Sequence, residues 1–176
     1  MRPVSPDTWD DFVRLFAARG GPHYCFCTPY RLSGGAHLTG AQRQAAMRDL
    51  VRAGIAVGVL AYAGDEPVGW CSVAPREDYA RLARSRSMPR VTPPATVTWT
   101  VLCFFVPRPR RGQGITRALL DGAVMYAAAH GAQVVEGYPF DTAGISATHR
   151  GHSRAFAAAG FTQNGPRWSR PTPPPR

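Results

Sequence analysis

The stretch Arg111-Gly112-Gln113-Gly114-Ile115-Thr116 decides the fold of this chain, because two kinds of secondary structure meet there. An apolar run from Val97 to Val106 precedes it, and a pattern with helical spacing begins near Gly114. Glycines at such a junction let backbone N–H groups approach a phosphate closely, and the positive end of the helix dipole favours an anion. The sequence therefore predicts a strand, a phosphate-binding turn and a helix in succession.

Two familiar glycine-rich turns do not fit this stretch. A dinucleotide-binding turn has a third glycine and an acidic residue about twenty positions later, whereas the acidic residues that follow here are Asp121 and Glu136. A P-loop ends in Gly-Lys-Ser or Gly-Lys-Thr, and all 21 basic residues of this chain are arginine. Both classes of nucleotide site are therefore disfavoured.

Turn-forming residues divide the rest of the chain into short helices and strands. Helical patterns run from about Ser5 to Gly20, Thr39 to Gly54, Gly114 to His130 and His152 to Ala159. Strand patterns cover Ala56–Tyr62, Pro67–Val73, Val97–Val106 and Gln133–Tyr138, with a last strand near Trp168. The first two strands are predicted to form a hairpin. The arginine-rich segment Arg76–Val91, with a short helix over Glu77–Arg84, is predicted to be a mobile excursion.

Length and composition indicate an ordinary globular protein. The 176 residues are expected to form one domain over residues 1–170, followed by a disordered proline-rich tail over 171–176. No apolar run approaches the roughly 18 residues of a membrane span, and the N-terminus lacks the apolar core of a signal peptide. We therefore expect a cytoplasmic protein with no membrane partner.

The net charge of +10 comes entirely from dispersed arginines. The complete absence of lysine indicates a compositional bias, so the charge by itself is weak support for a nucleic-acid partner. Nucleic-acid binding is disfavoured but left open.

The four cysteines are Cys25, Cys27, Cys71 and Cys103. A chain without an export signal is expected to keep them reduced. Cys25 and Cys27 are one residue apart, which is closer than the usual spacing of structural zinc ligands, and no second pair follows. No metal site is predicted.

Two motifs resemble the GNAT (Gcn5-related) N-acetyltransferase superfamily. Residues 111–115 match the Arg-Gly-x-Gly-Ile core of its acetyl-CoA-binding motif, although Thr116 stands where glycine or alanine is usual. Ala155-Phe156-Ala157-Ala158-Ala159-Gly160-Phe161 resembles its second signature, Leu-Tyr-x-x-x-Gly-Phe. The resemblance extends from Val57 to Phe161 and implies a single-domain, bacterial-type member. The implied fold is α/β, with a mixed, mostly antiparallel sheet flanked by helices.

The resemblance also implies which residues bind the co-substrate, acetyl-CoA. Main-chain groups of Phe104, Phe105 and Val106 would hold the pantetheine arm, and one of their N–H groups would polarise the acetyl oxygen. The pyrophosphate would lie against Arg111, Gly112, Gln113, Gly114, Ile115 and Thr116. Arg117, with Arg108 and Arg110, is placed to meet the remaining phosphate.

The catalytic residues are harder to assign, because Phe156 stands where the family has a proton-donating tyrosine. Tyr138 and Ser153 are the candidate donors, with His152 and Cys103 as further candidates. Alternatively, the thiolate leaves unassisted and takes its proton from water. Glu136 is the candidate general base, or else a residue that binds the substrate or supports the site, since it is the acidic residue within a predicted strand. Glu77 and Asp78 are the alternatives to it.

These residues favour transfer of an acetyl group from acetyl-CoA to a primary amine of a small molecule, by direct attack on the thioester. Tyr24, Phe26, Tyr30 and Trp70 could line an aromatic acceptor pocket. Acetylation of a protein amine or an aminoacyl-tRNA, and a non-catalytic CoA-binding module, are the alternatives. Pairing of C-terminal strands into a homodimer is left open.

Overall fold

The computed structural model describes residues 1–32, 37–141 and 148–174, and the strands within them form one sheet in the order β1-β2-β3-β4-β5-β7-β6. The strands are β1 (Arg2–Pro3), β2 (Val59–Ala63), β3 (Glu66–Pro75), β4 (Thr98–Phe105), β5 (Val134–Gly137), β6 (Thr162–Asn164) and β7 (Arg167–Pro171). The helices are α1 (Trp9–Ala17), α2 (Gly40–Arg52), α3 (Ile115–Ala129) and α4 (Ser153–Ala158).

The sheet is antiparallel at every pairing except that of β4 with β5, which run parallel. A parallel pair requires a crossover connection, and α3 provides it while packing against β2 and β3. The predicted α/β fold, a mixed and mostly antiparallel sheet flanked by helices, is confirmed.

Each face of the sheet has its own apolar core. On one face, α3 and α4 pack over a cluster that includes Val101, Phe104 and Phe156. On the other face, α1 and α2 cover Trp70, whose ring centroid lies 5.5 Å from that of Phe12 and joins a cluster of aromatic side chains. Burial on both faces fixes the middle strands, β3 and β4, in place.

The helix ends agree with the predictions from sequence. Thr39 caps α2, since the Gln42 amide donates to its hydroxyl at 3.3 Å and the Gln42 side chain accepts from the Thr39 amide at 2.8 Å. Gly131 follows α3 with a φ of +79°, a left-handed conformation that favours glycine.

The arginine-rich segment after β3 is anchored, which corrects the prediction of a mobile excursion with one short helix. It forms two 3-10 turns, Arg76–Asp78 and Leu82–Arg84. Tyr79, Leu82 and Met88 are buried against Leu102 and Tyr138. The apolar residues between the arginines therefore make a third, smaller core.

The ordered C-terminus extends past residue 170, where the disordered tail was predicted to begin. Pro171 ends β7, and Thr172 donates from its amide to the Gln133 carbonyl at 3.0 Å and from its hydroxyl to the Ala132 carbonyl at 2.6 Å. The short strands β1 and β6 are not evident in the sequence pattern. None of the described helices has the length and apolar content needed to cross a membrane.

Candidate functional site

Halfway along its length, β4 loses a neighbouring strand. It pairs with β5 from Thr98 opposite Val134 to Val101 opposite Gly137, where β5 ends. β4 continues to Phe105 and stays paired with β3 on its other side. Within the described residues, no strand pairs with this second half of β4 on the β5 side. Backbone groups along that edge thus have no strand partner among the described residues, an arrangement that suits an extended ligand.

A β-bulge bends β4 at the same point. Ser72 lies opposite Cys103 and Val73 lies opposite Val101, so Leu102 is an extra residue in β4. A bulge bends its strand and increases the local twist. The bend coincides with the end of the pairing to β5, and together they open the gap between the two strands.

The ring of Phe156 fills the space beside the end of β5. A Cβ added at Gly137 would lie 2.4 Å from Phe156 Cε1, so only glycine fits there. Phe156 is fully buried, and its ring meets those of Phe104 and Phe161 edge-on, with centroids 6.1 and 5.1 Å away. The position where the second signature usually carries a tyrosine is thus a packed core position in this chain.

The glycine-rich turn leads directly from β4 into α3. After Val106 the chain makes a 3-10 turn over Arg108–Arg110, and Gly112 and Gly114 both take a φ of +77°. Nothing lies within 4 Å of a Cβ placed on either glycine. Gly114 immediately precedes α3 and, having no side chain, provides no cap for the first amides of the helix. Uncapped amides of this kind at a helix N-terminus are suited to an anion.

Side chains of the turn mostly stabilise the turn itself. Arg111 Nε donates to the Val106 carbonyl at 3.1 Å, and Gln113 Nε2 donates to the Pro109 carbonyl at 3.2 Å. Arg110 is ion-paired with Glu66 across the surface. Arg117 is exposed and lies 3.9 Å from Asp121 within α3, a weak pairing that leaves its guanidinium accessible. Backbone amides, with Arg117 at the rim, are the groups best placed for a pyrophosphate.

The residues predicted to hold the pantetheine arm point their side chains into the protein. Phe104 packs in the core under α3 and α4, whereas Phe105 packs in the core under α1 and α2. Val106, the next residue, is buried with Phe104. Their side chains are thus occupied by packing, which leaves main-chain groups as the part of these three residues that a ligand could contact.

Glu136 lies in the middle of a buried ionic network. Its side chain has no exposed surface, and it forms ion pairs with Arg76 and with Arg167, the latter at 3.0 Å between Oε2 and Nε. Thr100, opposite it on β4, donates to Oε1 at 3.1 Å. The Oε2–Nε contact is an ion pair without a hydrogen bond, since neither atom has a hydrogen-bond partner. Two cations surround one carboxylate, so the network carries a net positive charge.

These surroundings argue against Glu136 as a general base. A base must reach the amine, or a water molecule bound to it, and must give up its own partners to take a proton. Glu136 is sealed from solvent and held by two guanidinium groups. The geometry fits a structural anion that ties β5 to β7 and to the segment after β3.

Tyr138, one residue beyond β5, belongs to the same network. Its hydroxyl donates to the Pro89 carbonyl at 2.9 Å and accepts from Arg76 Nη1 at 3.1 Å. Burial, reinforced by the negative charge of Glu136, raises the pKa of Tyr138 to about 12, against the opposing effect of Arg76. The phenol therefore keeps its proton at neutral pH, and it is an acid that releases that proton reluctantly.

Ser153 is the first residue of α4. Its amide donates to Asp141 Oδ1 at 2.9 Å, and His152 Nδ1 lies 3.5 Å from the same oxygen. The hydrogen bonds from Ser153, followed by the effect of His152, lower the pKa of Asp141. Ser153 and His152 are thus held at the first turn of α4 by one exposed carboxylate.

Of the four aromatic residues predicted to line an acceptor pocket, two belong to the core. Phe26 and Trp70 are buried under α1 and α2, and Tyr24 is largely exposed. Tyr30 is half-buried, and its hydroxyl lies 3.2 Å from His149 Nε2. Only Tyr30 stays a candidate for contact with an acceptor.

A buried arginine stands on the same side of the sheet as Tyr30 and was not predicted. Arg31 Nη2 donates to the Tyr79 hydroxyl at 3.2 Å, and its guanidinium lies over the Tyr79 ring, 4.4 Å from the centroid. The Tyr79 hydroxyl in turn lies 2.8 Å from Ser72 Oγ on β3. The one sequence signal is that Arg31 directly follows Cys25–Tyr30, a segment rich in cysteine and aromatic residues.

The cysteines are free thiols, and burial raises the pKa of Cys25, Cys27 and Cys71. Such thiols are poor nucleophiles. Among the described residues, no group of three His, Cys, Asp or Glu side chains is arranged to hold a metal ion.

Two surface cavities lie away from the gap. One, of about 480 Å³, is bounded by α1, the β2–β3 hairpin and the turn after β4; the other, of about 560 Å³, lies between β1 and α3. Neither is lined by the second half of β4 or by Arg31. Volume alone therefore does not mark the acceptor site.

Comparison with known proteins agrees with this geometry. The family model of the acetyltransferase (GNAT) family matches residues 24–149. No curated protein matches the chain in sequence.

Solved structures of acetyltransferases share the fold at low sequence identity. The aminoglycoside acetyltransferase AAC(6')-Ib, in complex with paromomycin and acetyl-CoA, is 14% identical with a TM-score of 0.60, over 97% of this chain and 91% of that one. Ard1 from Thermoplasma volcanium is 14% identical with a TM-score of 0.53, over 98% and 96%. A GNAT-family protein from Desulfovibrio desulfuricans is 16% identical with a TM-score of 0.54, over 97% and 96%.

The family match spans most of the chain and includes the half-paired strand and the glycine-rich turn. The structural likenesses extend over nearly the whole length of the chain. The protein belongs to the acetyltransferase (GNAT) family.

Proposed function

We propose that the protein transfers the acetyl group of acetyl-CoA to a primary amine of a small molecule, by direct attack on the thioester. One observation carries the proposal. The unpaired edge of β4 leads, through the 3-10 turn at Arg108–Arg110, into the two left-handed glycines and the open N-terminus of α3. An extended arm that ends in a pyrophosphate matches that arrangement along its whole length.

The chain offers suitable groups for each part of acetyl-CoA. Main-chain groups of Phe104, Phe105 and Val106 would hold the pantetheine arm, while residues 111–116 and Arg117 would hold the phosphates. Support for this co-substrate comes from relatives of the same fold whose structures contain CoA or acetyl-CoA.

The reaction needs a polarised carbonyl and a neutral amine. The amine nitrogen attacks the acetyl carbon, the carbon–sulfur bond breaks, and its electron pair leaves with the thiolate. A main-chain N–H on the free edge of β4 would stabilise the negative charge that develops on the acetyl oxygen. The buried position of β4 excludes water, which strengthens that interaction.

Two protons must also move: one leaves the amine, and one reaches the thiolate. Phe156 cannot donate a proton. Tyr138 lies beside the end of β5 and Ser153 at the start of α4, so both stay candidate donors. Neither is preferred, because the Tyr138 hydroxyl is tied into the Glu136 network and the Ser153 side chain is hydrogen-bonded to Asp141.

A pair of glycine variants tests the proposal. Gly114→Ala and Gly131→Ala replace glycines of nearly equal φ, +77° and +79°, at opposite ends of α3, and each has open space around the new methyl group. Each change is expected to lower the free energy of unfolding by about 1–2 kcal/mol, because an L-residue resists the left-handed conformation. Only Gly114→Ala should weaken acetyl-CoA binding, by roughly tenfold or more, since it disturbs amides that contact phosphate.

Calorimetric titration with acetyl-CoA gives the affinities, and thiol release across a panel of amines, hydrazines, peptides and polyamines gives the activity. Equal affinities in the two variants would refute the assignment of the turn. Tight acetyl-CoA binding without transfer to any small amine would favour a macromolecular acceptor or a non-catalytic CoA-binding module.

A further inference from the structure

Arg31 is a buried cation without an anionic partner. Arg31 is only 6% exposed, and its Nε and Nη1 atoms have no hydrogen-bond partner. No carboxylate of the described residues lies within ion-pair distance of it. The segments outside the described ranges, residues 33–36, 142–147 and 175–176, contain no Asp or Glu.

The contrast with the other buried arginines is informative. Arg76 and Arg167 are similarly buried, and both are ion-paired with Glu136. A buried guanidinium with unsatisfied donors destabilises a fold, so folds normally provide it with an anion. Burial raises the pKa of the Asp78 carboxyl, and the charge of Arg31 partly opposes that increase. Arg31 and Asp78 are therefore near each other, but they do not form an ion pair.

Arg31 lies on the face of the sheet where Tyr79 packs with Leu102, the extra residue of the β4 bulge. It donates to Tyr79, which contacts Ser72, and Ser72 lies opposite Cys103 immediately after the bulge. Tyr30 and Asp78 next to it are half-buried, so the guanidinium lies one side chain below the surface. An acceptor bound near the bulge on this face of the sheet would lie on the same side as Arg31.

Two further arginines make this side of the gap positive. Arg81 lies over the Tyr30 ring, 5.5 Å from its centroid, and Arg150 lies over the Phe140 ring, 4.8 Å from its centroid. Both act on the Tyr30 hydroxyl through their charge. Neither forms an ion pair within the described part of the chain.

We propose, building on the function proposed above, that the acceptor is an amino carboxylate, such as an amino acid, whose carboxylate pairs with Arg31. The guanidinium supplies the charge and the unused N–H donors that a carboxylate needs. Arg81 and Arg150 attract the same anion from the rim. A polycationic amine is disfavoured here, because all three arginines repel it.

The test compares ligands that differ only in the carboxylate. Each of the twenty N-acetyl amino acids is titrated calorimetrically, beside its carboxamide, into the full chain saturated with CoA. These ligands are products of the proposed transfer, so binding is measured without turnover. We expect at least one N-acetyl amino acid to bind tenfold or more tightly than its amide, a difference of about 1.4 kcal/mol.

Arg31→Met should remove the preference, bringing the two ligands within about twofold, while acetyl-CoA affinity stays unchanged. Arg52→Met, at the exposed end of α2, changes the net charge equally and should keep the preference. If Arg31→Met fails to fold, the comparison in the wild-type protein decides alone. Equal binding of every carboxylate–amide pair overturns the inference.

The same preparations separate this inference from the proposed function. One outcome is thiol release with neutral or polycationic amines, while no N-acetyl amino acid binds more tightly than its carboxamide. It would support the acetyltransferase proposal and overturn the role of Arg31. Failure to bind acetyl-CoA would refute the proposed function. The pairs are then compared without CoA, and equal binding of acid and amide overturns the inference as well.

Discussion

Glu136→Gln is the substitution that best separates structure from catalysis in this site. The change removes one negative charge while it keeps the shape of the side chain and an oxygen that accepts from Thr100. Arg76 and Arg167, whose side chains are 6% and 8% exposed, are then left without a buried anion. Breaking a buried ion pair in this way typically lowers the free energy of unfolding by about 3–5 kcal/mol.

That loss is large compared with the roughly 5–15 kcal/mol by which domains are stable. For a chain of this length, about 1 kcal/mol shifts Tm by roughly 2–4 °C, so we expect a decrease on the order of 6–20 °C. Urea unfolding followed by tryptophan fluorescence, together with calorimetric melting, measures both quantities. Acetyl-CoA affinity should change little. Glu136 lies opposite Thr100 in the first half of β4, whereas the glycine-rich turn follows the far end of that strand.

Glu66→Gln is the matched control. Glu66 also pairs with an arginine, Arg110, but its side chain is 62% exposed, so this change should lower the free energy of unfolding by less than about 1 kcal/mol. A second substitution, Arg167→Gln, added to Glu136→Gln should restore part of the lost stability by removing one of the two stranded cations. A Glu136→Gln protein that melts like the wild type but loses about a hundredfold in kcat would refute this reasoning and establish Glu136 as the base.

Three other predictions concern stability. Phe156→Tyr should lower the free energy of unfolding by about 1–3 kcal/mol in urea titrations, because the new hydroxyl is forced against Gly137. The same variant should not have a higher kcat. A variant that is faster and as stable as the wild type would contradict this prediction. Since the pKa of Tyr138 is raised from 10.0 to about 12, its contribution to stability is complete below pH 10 and declines as pH rises through 12. The difference between wild type and Tyr138→Phe in alkaline unfolding checks that window. Deleting residues 173–176 should leave Tm unchanged, whereas deletion from Thr172 should lower stability by about 1–3 kcal/mol through the loss of its two hydrogen bonds.

The local features of the fold were predictable from sequence because they depend on neighbouring residues. The periodicity of α3, the strand pattern of β4 and the glycines between them involve contacts within a few positions, and each was predicted close to its observed bounds. The short strands β1 and β6 carry too few residues for a pattern to appear.

The surroundings of the polar site residues could not be predicted, because they depend on contacts between distant parts of the chain. Glu136 was singled out as a carboxylate in a strand, but its partners Arg76 and Arg167 come from the segment after β3 and from β7. Arg31 reaches Tyr79, 48 positions away. Nothing in the spacing of charges along the sequence distinguishes these three arginines from the exposed ones.

The extra residue in β4 has a consequence for how curvature and packing are encoded. Trp99 and Val101 face α3, Leu102 and Cys103 both face the other side, and Phe104 and Val106 face α3 again. Leu102 therefore reverses the odd–even parity of the strand. A chain that lacked Leu102 would lose the bend, but all the remaining side chains of β4 would stay on their present faces of the sheet. The shape of the gap and the composition of the two cores are thus encoded independently. Insertion or deletion of a single codon can change the shape of the gap without changing the residues of either core.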